Sequence, residues 1–141
     1  MNRKILVTFV ALMVLAMLAT PFVGAVLARP FYKDISIKKT YSMIFVEDHP
    51  ELLVIDIRPS SMYESGHIAG VINVPLPLSN LDSWIAGAGQ SYRNNKIIVH
   101  CYLGSMSPIA ADLLIDAGFK KVYNMEGGFN AWVGAGYPVV T

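Results

Sequence analysis

One stretch, residues 97–108, constrains the fold of this chain more than any other. It begins with the branched apolar run 97–99, which predicts a short buried strand. The single cysteine of the chain, Cys101, comes next, and Ser107 and Pro108 then predict the N-cap and the first residue of a helix. A strand that passes through a short loop into a helix is typical of open α/β sheets, which bind ligands beyond the carboxyl ends of their strands.

The place of Cys101 predicts a reactive thiol. A loop that curls from a strand into a helix directs several backbone N–H groups inward, and the helix adds the positive end of its dipole. A thiolate there is stabilised, so its pKa falls below the free value of about 8.5. The thiolate is the nucleophilic form, and it then needs no neighbouring base. An inert buried cysteine is the alternative, which this strand–loop–helix setting disfavours.

The loop after the cysteine limits the reaction that the thiol can perform. Residues 102–106 include no lysine or arginine. Cysteine phosphatases follow a His-Cys pair with five residues and an arginine that clamps the phosphate, whereas here Ser107 takes the place of that arginine. A dianionic phosphate would have no arginine to bind it in this loop, so the sequence excludes phosphatase activity. Attack on a sulfane sulfur, which leaves a persulfide on the cysteine, demands less charge neutralisation and is the reaction we expect.

The cysteine stretch resembles the active loop of the rhodanese family, usually Cys-x-x-Gly-x-Arg-Ser. Cys101, Gly104 and Ser107 match this motif, and Met106 stands where the family has arginine. Three further segments resemble rhodanese motifs in the family's order: Asp-x-Arg after an apolar strand at 53–58, the Gly-His-Ile-x-Gly segment at 63–75, and Gly-Gly-x-x-x-Trp at 127–132. Each motif alone is weak, but together they are highly specific and cover about residues 35–140.

The resemblance implies an α/β domain over residues 35–141, with a mostly parallel five-stranded sheet and helices on both faces. It also implies a sulfurtransferase that takes sulfane sulfur from thiosulfate or a related persulfide donor onto Cys101. The sulfur then passes to a thiol or to cyanide, and no cofactor is needed. The loop expected to bind substrate and persulfide consists of Tyr102, Leu103, Gly104, Ser105, Met106 and Ser107.

Three further residues are expected to support the site. Asp56 and Arg58 end a predicted strand, where they could form a structural ion pair that fixes the turn or act directly at the site. The resemblance places Arg58 near the cysteine loop, as the best cation available to compensate for Met106. His67 invites the role of general base, but the resemblance implies a structural histidine, hydrogen-bonded near the Asp56 turn.

Hydrophobic patterns and turn residues predict the remaining elements. The predicted strands lie at 35–37, 52–57, 71–74, 97–99 and 120–123. The predicted helices lie at 39–48, 60–65, 79–86, 108–117 and 127–134, and residues 87–95 are predicted as a surface loop. In the helix at 108–117 we expect Ile109, Leu113 and Leu114 to point inward, and in the last helix we expect Trp132 to cover the core.

The N-terminal residues predict export. A short basic head at residues 2–4, which contains Arg3 and Lys4, precedes an almost wholly apolar run at 5–28. Residues 1–28 therefore resemble a signal peptide, cleavable after Ala25 or Ala28, or an N-terminal membrane anchor. A linker is predicted at 29–34. The positive-inside rule then places the domain outside the cytoplasm, in the periplasm or secreted, and membrane contact is expected only through an uncleaved N-terminal segment.

Charge and residue spacing limit the partners. Without residues 1–28 the chain keeps nine basic and ten acidic side chains, so no basic patch suggests a nucleic-acid partner. No spacing of His, Cys, Asp or Glu suggests a metal site. Two alternatives to a small-molecule enzyme stay open: a relay that hands persulfide sulfur to an exported acceptor protein, and a non-catalytic binding module with the rhodanese fold. Retention of Cys101 argues against the binding module.

Overall fold

The computed structural model describes residues 31–141, so the predicted signal peptide or anchor at 1–28 lies outside the described residues. The strands are β1 (Lys33–Ile35), β2 (Leu52–Asp56), β3 (Ile72–Asn73), β4 (Lys96–His100) and β5 (Lys121–Met125). The helices are α1 (Ile37–Phe45), α2 (Ser60–Glu64), α3 (Leu78–Ala86), a 3₁₀ helix (Ala88–Tyr92) within the predicted loop, α4 (Ser107–Asp116) and α5 (Gly128–Gly134). Between residues 31 and 141, no helix has the length and apolar character needed to span a bilayer.

The five strands form one parallel sheet in the order β1-β5-β4-β2-β3. Parallel neighbours cannot be joined by a tight hairpin, and the intervening helices provide the crossover connections. In the register of β2 and β4, Asp56 pairs with His100, and in that of β2 and β3 it pairs with Asn73. The carboxyl ends of three adjacent strands therefore meet at Asp56, which is where an open α/β sheet binds ligands.

The sheet is covered on both faces, because alternate side chains of its central strands point to opposite sides. On one face, Ile55 belongs to a core that includes Leu114 of α4 and residues of α3. On the other, Val54 belongs to a core that includes Trp132 of α5 and Met43 of α1. Trp132 is fully buried, as its predicted role requires. The α/β fold with helices on both faces is confirmed.

The start of the domain differs from its prediction. The edge strand β1 lies at Lys33–Ile35 instead of 35–37, so residues 33–34 belong to the sheet and not to the linker predicted at 29–34. Ser36 ends the strand because its hydroxyl accepts a hydrogen bond from the Lys39 N–H, at 3.2 Å, and thereby caps α1. The helix begins two residues earlier than predicted and ends at Phe45.

The inward face of α4 was also predicted incorrectly in part. Ile109 is 48% exposed, and the buried residues of the helix are Ser107, Ala110, Ala111, Leu114 and Ile115. Ser107 is the first helical residue and not the N-cap; Met106 occupies the cap position without a side-chain hydrogen bond. The Ser107 hydroxyl lies instead 3.6 Å from the Cys101 thiol. The small alanines pack α4 against the sheet, and Ile109 lies on the opposite face with the exposed residues Asp112 and Asp116, three and seven residues further along the helix.

Candidate active site

The loop after β4 wraps around the Cys101 sulfur. Cys101 is 4% exposed, at the carboxyl edge of the sheet. The N–H groups of Gly104 and Met106 donate hydrogen bonds to Sγ at 3.1 and 3.4 Å. In the thiolate state the Ser107 hydroxyl is placed to donate from 3.6 Å. Of the N–H groups expected from residues 102–106, those of Gly104 and Met106 form the described bonds to the sulfur.

A glycine at position 104 allows this closure. Gly104 adopts φ +87°, a left-handed conformation that disfavours residues with a side chain. A Cβ there would also lie 3.1 Å from the backbone nitrogen of Gly127. Gly104 therefore lets the chain turn back so that its own N–H points at the sulfur, while the start of α5 packs against the loop.

The N-terminus of α5 is hydrogen-bonded to the backbone at the start of the cysteine loop. The N–H groups of Phe129 and Asn130 donate to the carbonyl oxygens of Cys101 and Tyr102, both at 2.9 Å. Gly128, at φ +61°, leaves room for this contact, since a Cβ there would lie 2.6 Å from each of the two carbonyl oxygens. The backbone orientation of Cys101 is thus set by a helix that follows a different strand.

The environment of Cys101 favours its thiolate. Burial acts to raise the pKa of the thiol. Hydrogen bonds from the Met106 N–H, the hydroxyl and N–H of Ser107, and the Gly104 N–H act to lower the pKa, and together they outweigh burial. The pKa of Cys101 therefore lies below the ordinary value of a cysteine, which increases the fraction of the nucleophilic form near neutral pH.

Asp56 and Arg58 form a buried ion pair beside the loop. The Arg58 Nε lies 3.0 and 2.9 Å from the two carboxylate oxygens, and Nη2 lies 2.6 Å from Oδ2. Nη2 also donates to the Gly66 carbonyl oxygen at 2.9 Å, and the guanidinium carbon lies 3.7 Å from the Phe129 ring centroid. These bonds hold the turn after β2. Arg58 also lines the cavity at Cys101 and so lies near the cysteine loop, where the resemblance placed it.

His67 makes a structural contact, although not the expected one. Its Nδ1 lies 3.0 Å from the Tyr63 carbonyl oxygen, and its ring stacks on the Tyr63 ring with centroids 3.8 Å apart. The described hydrogen bonds of its ring do not reach the Asp56 turn. The backbone carbonyl of the preceding residue, Gly66, makes that connection through Arg58.

Two residues at this edge were missed by the sequence reasoning. Asn73 Nδ2 donates to the carbonyl oxygens of Asp56 and Arg58, both at 2.9 Å, and so supports the turn. His100 is fully buried, with Nδ1 3.3 Å from the Cys101 carbonyl oxygen and Nε2 3.8 Å from Asp56 Oδ2. Burial lowers the pKa of His100 and favours the neutral ring. The signal was available: Asn73 lies near the end of one predicted strand and His100 directly follows another, and polar side chains at the carboxyl ends of parallel strands meet at one edge of the sheet.

A small cavity of about 130 Å³ opens at the sulfur. Its lining residues are Arg58, Pro59, Leu76, Cys101, Tyr102, Leu103, Ser105 and Met106. Arg58 is the basic residue in this set, and its charge is already paired with Asp56. Among residues 31–141, no group of three or more His, Cys, Asp or Glu side chains is placed to hold a metal ion. A cavity of this size can admit a small substrate group, which the Cys101 thiolate could then attack as a nucleophile.

The fold and this site define a class of protein: a parallel α/β domain that presents a backbone-stabilised cysteine thiolate beyond the carboxyl end of a central strand. Comparison with known proteins identifies the class. Residues 39–135 match the Rhodanese-like domain family. The chain belongs to this family, as its four motifs predict.

Known proteins of this family resemble the chain over most of its length. Thiosulfate sulfurtransferase GlpE of Pseudoalteromonas translucida is 36% identical over 104 residues, which cover 74% of this chain and 91% of that protein. The protein of the same name from Shewanella oneidensis is 34% identical, over 72% of this chain and 92% of that protein. A rhodanese-related protein from Thermoplasma volcanium has a crystal structure with a TM-score of 0.62 at 28% identity, covering 77% of this chain and 98% of that one.

The hydrogen bonds at Sγ predict how the thiol titrates. The rate of Cys101 alkylation by iodoacetamide should rise with pH through the pKa of the thiol, and this midpoint should lie below that of the same chain unfolded in urea. Ser107→Ala removes a donor to the thiolate, so it should raise the pKa and slow alkylation several-fold below the midpoint. Ser105→Ala is the matched control, because that hydroxyl forms none of the described bonds to Sγ. If the pH midpoint of alkylation is the same for the folded and the unfolded chain, the hydrogen bonds to Sγ do not lower the pKa of Cys101.

Proposed function

We propose that this protein is a sulfurtransferase that carries sulfane sulfur as a persulfide on Cys101. The observation that carries the proposal is the pair of backbone N–H groups, from Gly104 and Met106, aimed at Sγ. Such donors stabilise an anionic sulfur without a basic side chain. The names of the GlpE relatives, as thiosulfate sulfurtransferases, support the same reaction class.

In the first half of the cycle the Cys101 thiolate attacks the outer sulfur of thiosulfate. A bond forms between Sγ and that sulfur, and the sulfur–sulfur bond of the donor breaks. Sulfite leaves with the electron pair, and the cysteine becomes an anionic persulfide. The N–H groups that hold the thiolate lie within reach of the persulfide, so the negative charge stays in the same backbone environment.

In the second half an acceptor removes the sulfur. Cyanide or a thiolate attacks the terminal sulfur of the persulfide, the bond to Sγ breaks, and the electron pair returns to Cys101 as the thiolate. With cyanide the product is thiocyanate. The cycle uses only Cys101, the donor and the acceptor. The low pKa of the thiol replaces a general base, which leaves His67 and His100 in structural roles.

The persulfide can be observed directly. We expect the purified chain to gain the mass of one sulfur atom on incubation with thiosulfate, and to lose it on addition of cyanide as thiocyanate forms. Cys101→Ser should show neither event and no turnover, because the nucleophile is absent. Intact-protein mass spectrometry and a colorimetric assay for thiocyanate measure both, with circular dichroism to verify that the variant is folded.

The outcomes separate the alternatives. A persulfide that passes to a protein acceptor but hardly to cyanide or small thiols would favour a sulfur relay. A folded, reduced chain that forms no persulfide with any donor would favour a non-catalytic binding module and contradict the proposal. Full activity in Cys101→Ser would contradict the mechanism.

The residue at position 106 should set the affinity for anionic donors. Met106 borders the cavity without contributing charge, where the family's usual loop has arginine. Met106→Arg should lower the thiosulfate KM, since a charged hydrogen bond stabilises binding by about 1–3 kcal/mol. That free energy corresponds to a decrease of about fivefold or more in KM.

Leu103→Arg is the matched control for this charge. Leu103 also borders the cavity, but its side chain is 61% exposed, so an arginine there remains largely hydrated and its charge is screened. We expect a smaller change in the thiosulfate KM than for Met106→Arg. An unchanged or raised KM in Met106→Arg would mean that the missing arginine does not weaken thiosulfate binding.

We also propose that the domain works outside the cytoplasm. The basic residues Arg3 and Lys4 and the apolar run 5–28 support this location. When the full chain is expressed in a bacterium, the domain should be digested by protease added to spheroplasts, while a cytoplasmic marker protein is protected. The mass of the recovered chain distinguishes cleavage after Ala25 or Ala28 from retention as an anchor. Full protection of the domain would contradict export.

A further inference from the structure

We propose that residues 5–28 remain on the protein as an anchor, and that the amino edge of the sheet, the end at which its strands begin, lies against an anionic lipid bilayer. The inference rests on the proposed export of the domain and not on the sulfurtransferase reaction. Two observations carry it: a cluster of lysines that the strand register creates at the amino edge, and the short stretch of chain between this edge and the apolar run.

Three lysines project from the same face of the sheet at its amino edge. Lys96 and Lys121 are paired in the register of β4 and β5. Lys33 of β1 is level with Tyr123, two residues along β5 from Lys121, and alternate residues of a strand point to the same face. Since β1, β5 and β4 are neighbours, the three lysines lie on adjacent strands. The exposed Lys120 directly precedes Lys121 and extends the cluster.

Ion pairs do not balance this cluster. Lys33, Lys120 and Lys121 are exposed, and the ion pairs described within residues 31–141 include none of them. Lys96 is hydrogen-bonded through Nζ to His49 Nδ1, at 3.0 Å. Like charges opposite each other on paired strands destabilise a sheet. An anionic surface placed against the amino edge would offset this repulsion.

The acidic residues nearest to the cluster lie to its sides. Asp34 follows Lys33 but points to the opposite face of the sheet, where its carboxylate accepts a hydrogen bond from Asn124 Nδ2 at 2.8 Å. Asp116 ends α4, which also packs on that opposite face, and Glu51 precedes β2. The strand register thus creates a basic surface although the chain without residues 1–28 has a slight excess of acidic residues.

Exposed apolar side chains accompany the lysines. Phe31, two residues before β1, is 75% exposed. Because α1 runs back from the carboxyl edge to the amino edge, Val46 at its end lies on the same side of the domain, and it is 70% exposed. Aromatic and apolar side chains next to lysines are typical of surfaces that lie in the headgroup region of a bilayer, where lysines meet anionic lipids.

The chain itself brings the amino edge to the bilayer. Residues 29–32 connect the apolar run at 5–28 to Lys33. The five steps from residue 28 to residue 33 span at most about 18 Å when fully extended. The attraction between lysines and anionic lipids falls off within a Debye length, which is about 8 Å at physiological salt. The anchor therefore holds the lysines close to the headgroups, and their attraction to anionic lipids then orients the domain.

This orientation directs the active site away from the membrane. Lys96 begins β4, and Cys101 directly follows the other end of that strand. Five steps of about 3.3 Å separate the two residues, roughly 16 Å along the strand. With the amino edge on the bilayer, the loop 102–106 and the cavity at Sγ face the aqueous side, where water-soluble donors and acceptors reach them.

Amine footprinting of the full chain tests the contact. The chain is reconstituted in vesicles of phosphatidylcholine and, separately, in vesicles of an equimolar mixture of phosphatidylcholine and phosphatidylglycerol. Sulfosuccinimidyl acetate then acetylates exposed amines, and peptide mass spectrometry gives the rate at each lysine. We expect Lys33, Lys120 and Lys121 to react about fivefold more slowly in the mixed vesicles, since a lysine near an anionic bilayer is stabilised to about this degree.

Lys38 is the matched control within the same chain. It is exposed in the first turn of α1, on the carboxyl side of the sheet, so its rate should be the same in both kinds of vesicle. The rate of Cys101 alkylation by iodoacetamide should also be unchanged, because the active site faces away. High salt should restore the rates at Lys33, Lys120 and Lys121 in the mixed vesicles, since it screens their attraction to the lipids.

Three results would overturn the contact. The first is an equal rate at Lys33, Lys120 and Lys121 in the two kinds of vesicle. The second is an equal slowing at Lys38, which would mean that vesicle charge affects every amine regardless of orientation. The third is an equal slowing when inorganic phosphate is added to phosphatidylcholine vesicles, which would mean that the amino edge binds free anions and not a bilayer.

A single substitution tests the cluster as a unit. Lys121→Gln removes its central charge, so the acetylation rate of Lys33 in mixed vesicles should rise at least about twofold towards its value in phosphatidylcholine. Lys38→Gln removes the same charge outside the amino edge and should leave the Lys33 rate as it is. An unchanged Lys33 rate in Lys121→Gln, with the fold verified by circular dichroism, would overturn the role of the cluster.

The fate of the N-terminus separates this inference from the proposed functions. Recovery from the expressing bacterium of a chain cleaved after Ala25 or Ala28 would remove the anchor and overturn the inference, while export and the sulfurtransferase reaction would stand. The lysine rates do not depend on persulfide formation, so slower acetylation of the three exposed lysines supports the membrane contact whether or not Cys101 accepts sulfur.

Discussion

The buried ion pair of Asp56 and Arg58 organises the edge of the sheet on which the site depends. Two charges removed from water are stable only when each is fully hydrogen-bonded, and loss of one partner from such a pair costs about 3–5 kcal/mol. Here the carboxylate accepts from Nε, Nη2 and the Arg58 backbone, while the guanidinium also binds the Gly66 carbonyl and lies on Phe129. The pair therefore joins segments that follow β2, precede β3 and follow β5.

The same pair determines the chemical character of the site. Because Asp56 satisfies Arg58, the thiolate is stabilised by backbone dipoles and not by a free cation. Backbone N–H groups suit an anion of modest charge density such as a thiolate or persulfide, whereas a transferred phosphate is held by bidentate arginine. Loop 102–106 contains no lysine or arginine and Arg58 is paired with Asp56, so the residues that line the cavity offer the sulfur a largely apolar wall without an unpaired basic side chain.

Much of the fold and the centre of the site could be predicted because both depend on local patterns. Branched apolar runs form strands, Gly104 permits the turn at its φ of +87°, and a cysteine between strand and helix is placed at a sheet edge. The errors arose where a long-range contact decided the outcome. Ile109 points outward because the alanines of α4 face the sheet, and Arg58, not His67, makes the link between the Asp56 turn and the segment before β3, through the Gly66 carbonyl.

The sequence by itself determined the candidate nucleophile, the loop that surrounds it and the family, since these follow from residue types at fixed short spacings. Only the tertiary structure decided the environment of that residue. The contact of Gly128 with the Cys101 carbonyl, the burial of His100 beside Asp56 and the neutralisation of Arg58 all join residues distant in the chain or on adjacent strands. Register and helix packing create such contacts, and both result from the burial of the whole sheet rather than from any local pattern.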